Sequence, residues 1–156
     1  MQSTMQDVPL TVAAILRYAS TVHGDRTVTT ATGDGYRHAT YREVGRQAAR
    51  LANALRRLGV EGDDRVATFM WNNQEHLEAY VAVPSMGAVL HTLNIRLFPE
   101  QIEFVAYEAE DRVVIADLSL APILEPVLPK METVHTVVAV GAGDLEPFQR
   151  SGKNVV

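Results

Sequence analysis

Residues 83–99 constrain the fold most, because a helix end, a short apolar strand and a helix start follow one another there. Gly87 can adopt the left-handed backbone that ends a helix. Residues 88–90 (AVL) are apolar throughout, which predicts a strand buried on both faces. Pro99 suits the first position of a helix, where no backbone donor is needed. We therefore expect this segment to form the centre of a doubly wound fold.

The alternation of strands and helices extends on both sides of this segment. Further apolar strands are predicted at residues 65–70, 113–116 and 134–140, and helices at residues 74–85 and 99–109. A short helix interrupted by prolines is predicted within residues 118–128. Strands that alternate with helices predict a parallel sheet with crossover connections. The predicted fold class is therefore α/β, a parallel sheet with helices on both faces, built from flavodoxin-like βαβ units.

A helix and a β-hairpin are predicted ahead of the sheet. Thr11 can cap a helix over residues 12–22, with Ile15 and Leu16 on its apolar face. Residues 26–31 and 36–41 are rich in strand-forming side chains, and the glycines at positions 33 and 35 between them tolerate a positive φ. These features predict two antiparallel strands joined by a tight turn.

A long helix follows the hairpin. Thr40 and Glu43 have the spacing of a capping box, and Gly59 closes the apolar pattern that begins at Val44. The predicted organisation is a lead-in of helix, hairpin and helix at residues 1–60 and a βαβ sheet core at residues 61–145. Residues 151–156 resemble a turn that enters another strand, so we expect the chain to be the front portion of a longer protein.

Composition excludes several classes of function. The net charge of −5 lacks the basic footprint of a sequence-blind nucleic-acid-binding protein. The absence of cysteine excludes a disulfide scaffold and a thiolate metal site. No apolar run approaches the roughly 18 residues of a transmembrane helix, and the first ten residues lack the basic and apolar parts of a signal peptide. We expect a cytoplasmic chain with no nucleic-acid partner and no transmembrane segment.

Ligands of open α/β sheets bind beyond the carboxyl ends of the strands. Five side chains at such ends are candidate substrate- or cofactor-binding residues: Trp71, Asn72, His91, Asn94 and Arg96. Several of these residues also have an ordinary structural explanation. The asparagines can cap helices, the arginine can be a surface residue, and the histidine can be a hydrogen-bonded core residue.

The motifs that mark a catalytic or metal site are absent. Gly152 and Lys153 are followed by Asn154, so no phosphate-binding P-loop is present. The five histidines lack metal-ligand spacing, and Ser85 lacks the preceding glycine of a nucleophile elbow. We assign no catalytic residue and no metal site to this chain.

A collinear series of segments resembles the beginning of an acyl-CoA synthetase of the adenylate-forming family. The segments are TYREV (40–44), LANAL (51–55), LGV (58–60), GDDRVA (62–67), WN (71–72), EHLEAY (75–80), GAVLHTLNIRL (87–97), EDRVV (110–114) and Asp117. The series covers about residues 7–140. Its order and spacing resemble the medium- and long-chain fatty-acid–CoA ligases in particular, above all in residues 87–97.

This resemblance implies that the parent protein is an enzyme that joins a fatty acid to CoA with ATP and Mg²⁺, releasing AMP and pyrophosphate. Residues 1–156 would be an incomplete N-terminal part of its large domain, which in some relatives forms a homodimer. The family's phosphate loop, nucleotide-binding motifs and catalytic lysine match no position of this sequence. We therefore expect this chain alone to be inactive and to bind none of these cofactors.

Two alternatives to a ligase fragment remain open at this point. The first is a standalone flavodoxin-like binding or regulatory module, and the second is an oligomerisation module derived from a truncated ligase. A receiver-type module would need paired acidic residues after its first strand, where this chain has Met70, Trp71 and Asn72.

Overall fold

The fold is given by a computed structural model, which describes residue 4 and residues 7–156. Its elements are, in chain order, α1 (Val12–Val22), β1 (Thr27–Thr32), β2 (Gly35–Thr40), α2 (Tyr41–Arg57), β3 (Arg65–Phe69), α3 (Gln74–Ser85), β4 (Val89–Thr92), α4 (Pro99–Glu108), β5 (Val113–Asp117), α5 (Ala121–Leu124), β6 (Thr136–Val140), α6 (Glu146–Gln149) and β7 (Asn154–Val155). Single 3₁₀ turns lie at Leu118–Leu120 and Leu128–Lys130. None of the described helices has both the length and the apolar character that a membrane span requires.

A five-stranded parallel sheet forms the centre of the structure. Its strand order is β4-β3-β5-β6-β7, and all four neighbouring pairs run parallel. This order corresponds to 2-1-3-4-5 when the sheet strands are counted along the chain, which is the flavodoxin-like order. The predicted α/β class is confirmed, and β7 adds a strand beyond residue 145.

The predicted central position of residues 88–90 is wrong. The strand in this segment, β4, is at the edge of the sheet; none of its residues is buried, and Val89 is 45% exposed. After β4 the chain crosses to the other side of β3 and forms β5 there. As a result β3 lies between β4 and β5, and β5 lies between β3 and β6. Residues 66–69 and 113–116 are therefore the ones buried on both faces.

Alternate residues of the inner strands face two different helical layers. Val66 and Ile115 point to the layer that contains Leu55 of α2 and Val83 of α3. Side chains on the opposite face pack against α4 and α5. Burial on both faces is what a parallel sheet with crossover helices requires. The sheet therefore separates two hydrophobic clusters.

The lead-in forms largely as its local signals predict. Thr11 caps α1, and Thr40 and Glu43 form both bonds of the capping box that begins α2. The β1–β2 hairpin forms without a left-handed φ at either of its glycines. Ile15 is not on the inward face of α1, since it is 69% exposed, whereas Leu16 packs against α2 and α3.

A bidentate ion pair attaches the hairpin to helix α3, which packs against the sheet. Arg37 of β2 donates to both carboxylate oxygens of Glu75 in the first turn of α3, at 2.6 and 2.5 Å. The hydrogen bonds from Arg37 lower the pKa of Glu75, as expected for a carboxylate that gains a cationic partner. The hairpin is thereby held beside the N-terminus of α3, next to the carboxyl end of β3.

Gly87 connects α3 to β4 and has a φ of +92°. A Cβ atom added at this position would have its nearest neighbour 3.9 Å away, so a methyl group fits without a clash. We predict that Gly87→Ala lowers the unfolding free energy by roughly 1–2 kcal/mol, because an L-residue resists the left-handed conformation. Gly33→Ala is the matched control, since Gly33 has no left-handed φ and no neighbouring atom within 4 Å. Urea unfolding, followed by the fluorescence of Trp71, measures both. Equal stability of the two variants would contradict this role of Gly87.

Candidate binding cleft

A cleft of about 400 Å³ lies at the carboxyl ends of β3 and β4. It is formed by the segment after β3, by the side of α3 that faces it, and by the segment after β4. The lining residues are Met70, Trp71, Asn72, His76, Tyr80, Thr92, Leu93, Asn94, Ile95 and Arg96. Half of these side chains are apolar or aromatic and half are polar or charged, so the cleft is more polar than a typical small-molecule site.

The structure brings four of the five sequence-predicted residues together in this cleft. Trp71 and Asn72 come from the β3 side, and Asn94 and Arg96 come from the β4 side. His91 is not among the lining residues.

Two cleft residues, His76 and Tyr80, are not among the five candidates predicted from the sequence. His76 and Tyr80 belong to α3 and lie one helical turn apart, with ring centroids 5.0 Å from each other. The available signal is their spacing of four residues on a helix whose cap, Asn73, lies three positions before His76. Both side chains belong to a helix and not to a segment that follows a strand, so their place at the strand ends could not be predicted from the strand pattern.

The indole of Trp71 is held by a network that spans the switch point of the sheet. Its Nε1 donates to Ser119 Oγ at 3.0 Å, and Ser119 Oγ donates to Asp117 Oδ1 at 2.7 Å. Asn73 Nδ2 lies 3.5 Å from the other oxygen of Asp117. These contacts join the carboxyl ends of β3 and β5. The cleft lies at the neighbouring pair of strands, β3 and β4. The ring of Trp71 stays half-exposed as a cleft wall.

His76 is a buried histidine with both ring nitrogens hydrogen-bonded. Nδ1 lies 3.1 Å from the carbonyl oxygen of Trp71, which can only accept, so Nδ1 carries the proton. Nε2 then accepts from the hydroxyl of the fully buried Thr68 at 2.9 Å. Burial lowers the pKa of His76, and the bond to Trp71 opposes this shift in part. A neutral histidine with both nitrogens engaged supports the cleft wall and is not poised as a general base.

Arg96 is the cation of the cleft, and the part of the chain that the structure describes supplies no ion pair for it. Asn94 Oδ1 accepts from the backbone N–H of Arg96 at 3.0 Å, which shapes the turn after β4. A guanidinium binds carboxylates and phosphates through several donors at once. This end of the cleft is therefore suited to an anionic group.

His91 is not part of the cleft lining and pairs with Asp111. Its Nδ1 lies 2.8 and 3.0 Å from the two carboxylate oxygens, and the Asp111 side chain is fully buried. Burial raises the pKa of Asp111, while the hydrogen bond and charge of His91 act in the opposite direction. The pair ties the edge strand β4 to the turn between α4 and β5, which is a structural role.

The side chains that line the cleft include no group arranged for proton transfer or nucleophilic attack. Within residue 4 and residues 7–156, no three histidine, aspartate or glutamate side chains are grouped so that they could hold a metal ion. The available chemistry is aromatic contact, amide hydrogen bonding and one guanidinium.

Comparison with known proteins assigns the chain to a family. Residues 16–155 match the family described as AMP-binding enzyme. The chain belongs to the AMP-binding enzyme family. Family membership agrees with the resemblance carried by the segments within residues 40–117.

Two curated relatives in the AMP-binding family are fatty-acid–CoA ligases. The long-chain-fatty-acid–CoA ligase of Thermus thermophilus is 45% identical over 138 residues, which cover 87% of this chain and 26% of the relative. The medium-chain-fatty-acid–CoA ligase of Ectopseudomonas oleovorans is 39% identical over 136 residues, covering 85% of this chain and 25% of the relative. The chain thus spans about a quarter of the length of these curated relatives.

A solved member of the family has the same fold over most of this chain. It comes from Rhodopseudomonas palustris, carries the provisional description long-chain-fatty-acid CoA ligase, and superposes with a TM-score of 0.76 at 35% identity. The match covers 86% of this chain and 34% of that one. The α/β architecture is therefore that of part of a family member.

The lowered pKa of His76 predicts that the unfolding free energy falls as the pH drops. The unfolded chain takes up a proton near pH 6.5, whereas the folded chain resists it until the pH reaches the lowered pKa. The stabilisation is therefore fully present above about pH 6.5 and is lost as the pH falls through the folded value. Urea unfolding between about pH 8 and about pH 5 measures the loss.

His76→Gln should flatten this part of the pH profile, because it removes the group that titrates differently in the two states. His135→Gln, at an exposed histidine, controls for the loss of a histidine as such. A His76→Gln profile as steep as that of His135→Gln would contradict the assignment.

Proposed function

We propose that the complete polypeptide containing this chain is a fatty-acid–CoA ligase of the AMP-binding family. The 45% identity to the Thermus thermophilus long-chain-fatty-acid–CoA ligase carries this proposal, and the medium-chain relative supports it. In the first step a carboxylate oxygen of the fatty acid attacks the α-phosphorus of ATP, and pyrophosphate leaves. In the second step the CoA thiol attacks the acyl carbonyl, a thioester forms and AMP leaves with the bonding electron pair.

Residues 1–156 contribute framework and a binding surface to this enzyme. Phosphoryl transfer depends on positioned charges around the phosphates, and the cleft offers a single guanidinium, that of Arg96. ATP, Mg²⁺ and CoA would accordingly be held mainly by residues outside this chain, in a cytoplasmic enzyme. Within the cleft, Arg96 would contact an anionic group of a substrate, while Trp71 and Tyr80 contact its apolar part.

The test is AMP release by the complete polypeptide, purified from its own cells, with ATP, Mg²⁺, CoA and either a fatty acid or no acid. We expect AMP and acyl-CoA to form in equal amounts, and only when the fatty acid is present. A native product of 17.1 kDa without this activity would contradict the proposal and favour a standalone binding module.

Arg96→Gln tests the cleft in the same assay. Loss of one charged hydrogen bond costs about 1.5–3 kcal/mol, so we expect the KM of one anionic substrate to rise about tenfold or more. Varying fatty acid, ATP and CoA in turn identifies that substrate. Arg57→Gln is the matched control. Arg57 is exposed at the C-terminal end of α2, which leads into the start of β3, whereas the cleft is at the carboxyl end of that strand. Equal kinetics of the two variants would contradict a substrate contact.

We further propose that the complete polypeptide forms a homodimer through α1. This helix has one charged residue among eleven, and its outward side chains Ile15, Tyr18 and Val22 are all more than half exposed. An antiparallel pairing of two such helices around Tyr18 would bring Ile15 of each copy near Val22 of the other.

The native mass at high and low protein concentration tests the homodimer. We expect a dimer that dissociates on dilution, and Tyr18→Glu should shift the equilibrium to the monomer, because it buries a charge in the interface. A concentration-independent monomer would contradict the proposal.

A further inference from the structure

Two exposed aromatic rings occupy the outward side of α4. Phe104 is 62% exposed and Tyr107 is 55% exposed, and a spacing of three residues makes them neighbours on one helical face. On the inward side, Ile102 and Ala106 are buried in the core. A surface helix normally carries polar side chains opposite its buried face, whereas one that is apolar on several sides is typically covered.

The two rings line a groove of about 480 Å³. The rest of its lining is charged, with three carboxylates and one ammonium: Glu100, Glu103, Glu132 and Lys130. Among the described residues, none of these four groups has an ion-pair partner. The groove therefore combines an aromatic surface with an excess of uncompensated negative charge.

We propose that this groove docks a segment of the same polypeptide outside residues 1–156, which carries Arg or Lys beside aliphatic side chains. A cation can lie over an aromatic face while it pairs with a neighbouring carboxylate, and the groove offers both. The proposal rests on the proposed function, because the length of the relatives implies such a segment: this chain spans 26% and 25% of the two fatty-acid–CoA ligases.

The charge of the groove disfavours a second copy of this chain as the occupant. In a two-fold symmetric contact the same surface patch meets itself. Three carboxylates of one copy would then approach three of the other, and like charges brought together at an interface oppose binding. This distinguishes the groove from the outward face of α1, where charge is nearly absent.

Hydroxyl-radical footprinting of the complete polypeptide tests the docking. The labelling rates of Phe104 and Tyr107 are each divided by the rate of the same residue in the guanidinium-unfolded protein. Tyr36 on the hairpin, 73% exposed, is the internal reference. We expect Phe104 and Tyr107 to be labelled several-fold more slowly than Tyr36. Normalised rates equal to that of Tyr36 would overturn the proposal, and so would protection that disappears on dilution, because the occupant would then be a second copy.

A charge reversal tests the cationic character of the occupant. Glu103→Lys places a cation in the groove and should raise the labelling of Phe104 several-fold. Glu108→Lys is the matched control, because Glu108 is exposed on the same helix and does not line the groove. Equal labelling in the two variants would overturn a cationic occupant.

AMP release measured on the same preparation separates this proposal from the proposed function. Protected rings without activity would keep the docking and overturn the ligase. Activity with unprotected rings would keep the ligase and overturn the docking.

Discussion

Burial of the inner strands on both faces is the constraint on which the rest of the structure depends. Residues 66–69 of β3 and 113–116 of β5 are all buried, so each face of the sheet needs a helical layer. Leu55 and Val83 belong to the layer on one face, and α4 and α5 cover the other. Parallel strands with helical crossovers satisfy this requirement, and they bring the carboxyl ends of all five strands to one edge.

The properties of that edge follow from which strands are neighbours there. At the β3–β5 switch point the space is closed by the bonds from Trp71 to Ser119 and from Ser119 to Asp117. At the carboxyl ends of β3 and the edge strand β4 a cleft remains. The cleft forms beside the edge strand and is walled by α3. Its side chains offer aromatic contact, amide hydrogen bonds and one guanidinium.

Apolar surface remains outside the core in two places with different electrostatics. The outward face of α1 is almost uncharged, whereas the α4 groove has three carboxylates around two aromatic rings. Packing requires apolar area in both cases, but charge decides the kind of surface that can approach. For this reason we propose a second copy as the partner of α1 and a cationic segment of the same polypeptide as the partner of α4.

Local signals in the sequence determined the helices, the strands and the α/β class. The capping box of Thr40 and Glu43, the glycine at position 87 and Pro99 each act within a few residues, so their effects can be predicted without the fold. The tertiary structure alone decided which strands are inner and which is the edge, because strand order depends on the direction of each crossover. It likewise paired His91 with Asp111, twenty positions away, and joined the ends of β3 and β4 into one cleft, since such contacts exist only after distant segments have packed together.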